Sequence, residues 1–142
     1  MTPVSREGVT IGIDVGSTAV KAVVADADGC VTARVRIPHG LRVPAPNRLE
    51  HDAEEAWRRG PLAALNQLRQ LGPGSEVRAV AVSAMVPSLT AVDAAGMPLT
   101  PGLLYGDERG RVPGAENHAL PALGEAAEFL RWTAAEPPDA AG

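Results

Sequence analysis

Cysteine occurs once in the 142 residues, as Cys30, so no disulfide can form within the chain. Long apolar runs are missing: none approaches the roughly 20 residues that a membrane-spanning helix needs. A basic excess is missing too. Lys+Arg 13 against Asp+Glu 17 leaves a net charge of −4, which argues against a general affinity for nucleic acid or an anionic membrane. The opening "MTPVSREG" has neither the basic start nor the apolar stretch of a signal peptide. His39, His51 and His118 share no metal-ligand spacing and read as surface or loop residues. Neither G-x-x-x-x-G-K-[ST] nor G-x-G-x-x-G occurs, which excludes the Walker loop and the dinucleotide fingerprint. Together these absences predict a cytoplasmic protein without a nucleic-acid or membrane partner.

What is present is an ordinary globular composition. Apolar residues make up 45% and charged residues 21%, and the length suffices for one domain with a real core. Aromatics are scarce at 3%, while Pro (13) and Gly (15) are abundant for this length. Residues 1–8 read as an N-terminal extension. Val9–Val15 and Ala19–Ala25 read as buried, β-branched strands. Asp28-Gly29 predicts a type I′ hairpin turn. Cys30–Ile37 alternates Val31, Ala33, Val35 and Ile37 with Thr32, Arg34 and Arg36, as a half-exposed strand does. The first 37 residues therefore predict a three-stranded antiparallel meander.

Pro38–Leu49, with its prolines, reads as a loop. A helix is expected from Asp52, with Glu55 three residues on in a capping-box pattern. Trp57, Pro61, Ala64, Leu65, Leu68 and Leu71 share its apolar face. Gly60-Pro61 must kink or restart it, and Gly72-Pro73 must end it. Val77–Ser83 reads as a buried strand and Leu89–Val92 as another. Asp93 closes a turn, Pro98–Leu104 is extended, and Ala115–Arg131 holds one or two short helices. A hairpin start, a crossover helix and a later strand predict a mixed α/β sheet.

The stretch "TIGIDVGSTAVK" carries the chemistry. Asp14 ends a strand where backbone amides begin to point outward. Gly16, Ser17 and Thr18 form a small turn with N–H groups and two hydroxyls, a concavity that suits a phosphate oxygen. A carboxylate beside it suits a hydrated Mg²⁺. Lys21 adds a positive charge toward the same phosphate.

"IGIDVGSTAVKAVVADADGCV" resembles the first phosphate motif of the sugar-kinase, heat-shock-chaperone and actin superfamily. "RLEHDAEEAWRR" resembles the E-Q-D-P-E-x-W segment of FGGY carbohydrate kinases, and "VRAVAVSAMVPSLTAVDAAGMPLTPGLLYGDER" resembles their next long motif. The resemblance runs from about Val9 to Arg109. It implies a ribonuclease-H-like, actin-like ATPase fold, here incomplete. Residues 9–142 would be a truncated sugar-binding domain, and the ATP-binding second domain and the catalytic base would lie beyond residue 142.

The resemblance further implies ATP and Mg²⁺ as cofactors. Asp14 would hold the metal through water, Gly16, Ser17 and Thr18 would approach the γ-phosphate, and Lys21 would sit near it. Met85, Tyr105, Asp107 and Arg109 fall where the family contacts its sugar. Carboxylate and guanidinium suit polyol hydroxyls, although an exposed Asp107–Arg109 ion pair is the plainer reading of those two residues by themselves. Met85 stands in place of a Gln, Pro87 in place of the His that touches a ketose, and Tyr105 in place of a Trp. A sugar or polyol other than xylulose is therefore expected.

The isolated chain would be inactive and would expose apolar surface, which predicts aggregation or a homodimer through that patch. Two alternatives are a non-catalytic small-molecule-binding remnant or sensor of the same fold, and a different superfamily ATPase such as a dehydratase activator. "EHDAEEAW" and "YGDER" argue against the second of these. Trp57 reads as core, and Trp132 as packing on a part of the protein outside this chain.

Overall fold

Three rows of aliphatic side chains run across the N-terminal strands of the computed structural model, which describes residues 8–71, 74, 76–111 and 129–135. Strands β1 (Val9–Val15), β2 (Ala19–Ala25) and β3 (Val31–Pro38) pair antiparallel. Their register places Ile11, Val24 and Ala33 in one row, Ile13, Ala22 and Val35 in the next, and Val15, Val20 and Ile37 in the third. Because side chains alternate across a strand, all nine point to one face. Helix α1 (Gly60–Leu71) lies on that face and buries Gly60, Ala64 and Leu68 against it. Strand β6 (Val77–Ala84) then returns parallel to β1, giving the sheet order β3-β2-β1-β6. This is the mixed sheet expected from the sequence.

The chain divides into two compact units. Residues 1–40 and 55–84 form the first, and residues 41–54 and 85–142 the second. The second is built on a small sheet of β4 (Arg42–Ala45), β5 (Arg48–His51) and β7 (Gly102–Leu103), in the order β4-β5-β7. Residues 129–135 are helical.

Several expectations need correction. Pro38–Leu49 is not a loop throughout, because it holds β4 and the start of β5. Pro44 is tolerated in β4, at the edge of its sheet, where a missing donor costs no ladder bond. Asn47 takes a φ of 60° to turn the hairpin, a conformation that Asn adopts more readily than most residues.

The Asp28-Gly29 turn is not type I′. Only Gly29 has a positive φ, and the Asp26 side chain accepts hydrogen bonds from the Asp28 and Cys30 amides at 3.1 and 2.8 Å. This is a three-residue loop with a left-handed glycine. Asp93–Met97 repeats it bond for bond: the Asp93 carboxylate accepts from the Ala95 and Met97 amides, both at 2.8 Å. Asp93 thus closes its turn as expected.

The helix does restart at Gly60-Pro61. Residues Glu54–Arg59 before it take a wider π-helical path, and Pro61 falls in the first turn of α1, where its missing N–H is harmless. Leu71 is 60% exposed and so leaves the predicted apolar face. Leu89–Val92 forms only isolated bridges, Leu89 to Leu103 and Val92 to Pro98. His39 and His51 are buried rather than on the surface. Residues 112–128, which hold His118 and most of the helices expected over Ala115–Arg131, lie outside the described residues.

The largest correction concerns β6. Every residue of it is exposed, although its sequence reads as buried. Val80 and Val82 share the rows of Ile11 and Ile13, but α1 packs over β2 and β3. A parallel strand with that composition normally has both faces covered.

Candidate functional site

β1 carries two kinds of residue. Ile11 and Ile13 face α1, so Gly12 and Asp14 must face the other way. Asp14 is exposed and sits directly opposite Lys21 on β2. Lys21 Nζ lies 3.9 Å from Asp14 Oδ2, with both side chains more than half exposed, so the pair is held loosely. The link between the strands is Gly16-Ser17-Thr18. The Gly16 amide donates to the Ala19 carbonyl at 3.0 Å, and the Thr18 carbonyl accepts from the His39 amide at 3.1 Å.

The Gly16 amide is therefore not one of the free donors that the sequence suggested. Its importance is steric: a Cβ there would lie 3.1 Å from the Ala19 carbonyl oxygen and 3.8 Å from Asp14 Oδ2. A side chain would crowd the turn and touch the carboxylate. Ser17 is half-buried and Thr18 exposed. The arrangement fits a phosphate group beside a hydrated cation. Among the described residues no three His, Cys, Asp or Glu side chains converge. A divalent ion at Asp14 would thus keep water and phosphate oxygens in most of its shell, as Mg²⁺ does.

The second unit holds the other expected residues. Met85 is half-buried just after β6, and Tyr105 is 54% exposed. Asp107 and Arg109 are not an exposed pair. Their side chains are 2% and 7% exposed, and Arg109 Nη2 lies 2.6 Å from Asp107 Oδ2. Arg109 Nε donates to Asp107 Oδ1 at 2.9 Å, the Arg109 amide donates to the same oxygen at 2.9 Å, and the Leu49 amide donates to Oδ2 at 2.8 Å.

On the far edge of the guanidinium, Arg109 Nη1 meets Glu50 Oε2 at 2.8 Å. The Trp132 ring centroid lies 5.0 Å from the guanidinium carbon, within cation–π range. Trp132 therefore packs on Arg109, and edge-on against Phe129 at 5.7 Å, not on something outside the chain. Burial pushes the Asp107 carboxyl up, but hydrogen bonds from the Arg109 side chain and from the Arg109 and Leu49 amides, with the guanidinium charge, outweigh it and hold the carboxyl below its ordinary range. Burial likewise disfavours the Arg109 cation, and Asp107 and Glu50 more than restore it.

Tyr105, Asp107 and Arg109 line one small cavity with Pro87, Leu89 and Phe129. Met85 is not among its walls. Its volume, about 30 Å³, has room for about two or three water molecules. It is a notch rather than an enclosed sugar pocket. Sequence reasoning missed Glu50 and Trp132, because neither is near Arg109 in the chain. The signal for Glu50 was its place in "RLEHDAEEAW", a segment that by itself suggests only a helix start.

The chain is 27% identical over 99 residues to gluconokinase of Bacillus subtilis (strain 168), covering 70% of this chain and 19% of that protein. It is 26% identical over 99 residues to xylulose kinase of Staphylococcus xylosus, covering 70% of this chain and 20% of that protein. The crystal structure of xylulose kinase from Rhodospirillum rubrum superposes with a TM-score of 0.64 at 28% identity, over 72% of this chain and 22% of that one. The chain thus spans about a fifth of the length of the relatives it matches, and its mixed sheet is that of the actin-like ATPase fold. The model of the FGGY family of carbohydrate kinases, N-terminal domain, matches residues 9–133, further than the motifs alone reached. The chain belongs to the FGGY carbohydrate kinases, its match lying in their N-terminal domain.

Proposed function

We propose that this chain is the N-terminal, substrate-binding part of an ATP-dependent kinase that phosphorylates a hydroxyl of a sugar or polyol in the cytoplasm. The observation that carries the reading is the turn closing β1. There an exposed carboxylate, a glycine where a Cβ would be tight and an opposing lysine meet within a few ångströms. Asp14 would hold Mg²⁺ through water, and bound magnesium would supply charge neutralisation on the transferred phosphoryl group. Ser17 and Thr18 would approach the γ-phosphate, Gly16 would leave room for it, and Lys21 would add a second positive charge.

In the second unit, Met85 and Tyr105 would shape the substrate surface and Arg109 would donate to substrate hydroxyls. Asp107, whose oxygens already accept four N–H groups, would keep Arg109 in place. The proton of the attacking hydroxyl is assigned to no residue of this chain. A net charge of −4 is in keeping with no nucleic-acid or membrane partner. Among the described residues no helix is long and apolar enough to cross a membrane. The exposed β6 makes a homodimer part of the reading.

The test is Asp14→Asn in the complete polypeptide. Turnover should fall by about 100-fold or more, the loss typical of removing one group that stabilises transition-state charge. Sugar affinity, measured by calorimetry, should stay at the wild-type value. Unchanged turnover would remove the reading.

A further inference from the structure

Arg109 is held on three sides, and one of those sides is more than the fold requires. Asp107 takes the Nε and Nη2 edge and by itself neutralises the guanidinium. It also ties the turn to β5 through the Leu49 amide. Glu50 adds a second carboxylate at the Nη1 edge, 12% exposed and 2.8 Å away. Two carboxylates around one cation leave a nearly buried net negative charge, which carries a desolvation cost that Asp107 alone would not incur.

What Glu50 does provide is orientation. It stands on β5, the central strand of its sheet, with Leu103 of β7 as its register partner on one side and Arg42 of β4 on the other. With Asp107 in the guanidinium plane and Trp132 over its face, the group cannot swing. A guanidinium has five N–H donors, and the bonds among the described residues use three of them. One N–H on each terminal nitrogen remains. Arg109 lines the notch beside Tyr105 and Pro87.

We propose that Glu50 is a positioning residue for substrate binding. Acting through Arg109, it locks the guanidinium so that its two remaining N–H groups are aimed together at a pair of neighbouring hydroxyls on the sugar or polyol. This rests on the reading of the second unit as substrate-binding.

The experiment measures sugar-dependent ADP release by the complete polypeptide across a panel of sugars and polyols, comparing wild type, Glu50→Ala, Glu50→Gln, Arg109→Lys and the Glu50→Ala/Arg109→Lys pair. Glu50→Ala should raise KM for the sugar about tenfold, the scale expected when one charge-assisted hydrogen bond to the substrate is removed. Glu50→Gln, which keeps an acceptor, should raise it less, and it serves as the test if the alanine variant does not fold. Both should leave kcat and the KM for ATP within about threefold of wild type. The double variant should bind sugar no worse than Arg109→Lys alone, because Glu50 acts only through Arg109.

A lowered melting temperature with a wild-type sugar KM would make Glu50 merely structural and overturn the proposal. Additive KM effects in the double variant would overturn it as well. Absence of ADP release by the unmutated polypeptide with every sugar and polyol would instead strike the kinase reading itself, before any Glu50 variant is compared.

Discussion

A carboxylate that accepts hydrogen bonds from the Leu49 and Arg109 amides and from Arg109 Nε and Nη2 has almost no capacity left for water. Asp107 is in that position, with a side chain 2% exposed. Glu50 keeps the guanidinium paired when the Asp107 charge is removed, but Asp107→Asn turns an amide N–H₂ toward N–H donors that now find an oxygen, so it should cost about 1–3 kcal/mol of stability, read from the urea midpoint. The pH dependence has a definite sign. The folded-state carboxyl lies below the ordinary aspartate value of 3.8, so its ionised form stabilises the fold at neutral pH. That contribution is lost as pH falls below about 4 through the lower folded value. Wild type should therefore lose stability relative to Asp107→Asn as the pH falls below the ordinary aspartate value, and an advantage that does not shrink at all on that acid side would contradict the account. The D-x-R spacing of Asp107 and Arg109 makes their pairing legible in the sequence. It does not reveal their burial, because the cover comes from Glu50 and Trp132, which are distant in the chain.

At the scale of elements, close approach decides where α1 sits. Gly60 is buried over Val20, and a Cβ added there would lie 2.9 Å from Val20 Cγ2 and 3.3 Å from the Glu55 carbonyl oxygen. Alanine gains up to about 1 kcal/mol of helix propensity over glycine, but overpacking a fitted contact costs about 1–3 kcal/mol. Gly60→Ala should therefore destabilise the chain despite its better propensity, and a raised denaturation midpoint would show that helix and sheet yield to the extra methyl. β1, β2 and β3 are legible because alternation is a local property: Ile11, Ile13, Ala22 and Val35 declare their face without reference to the rest of the molecule. β4 and β5 are hidden by Pro44 and Pro46, which suggest a loop unless the edge position of β4 is known. The Asp26–Cys30 turn departs from the expected type because Asp-Gly fits two loop lengths, and the Asp26 side chain selects the longer one. The turn at Asp14 is legible as a site, but the direction of the Gly16 amide depends on the Ala19 carbonyl, which no local pattern specifies.

For the molecule as a whole, β6 has the greatest consequences. "VRAVAVSA" reads as buried because its composition is that of a doubly covered strand, yet composition records what a segment is made for, not what lies beside it in a given chain. β6 pairs with β1 on one side only, so among the described residues its other backbone edge is open. Val77, Val80 and Val82 are 49%, 52% and 66% exposed. An apolar strand with an open edge and a single charged residue, Arg78, is a template for pairing with another strand. A second copy of the chain offers the same strand, and two such edges can pair with two-fold symmetry. The 142-residue chain should therefore show an apparent mass that climbs above 14.6 kDa with concentration when followed by light scattering after gel filtration. Val82→Lys places a charge in the middle of that surface without touching α1 or the Asp14 turn, and it should shift the association to at least about tenfold higher concentration, given that a charge on an edge strand is a common barrier to such pairing. A wild-type chain that stays at its monomer mass at every concentration would mean that β6 is shielded by other means.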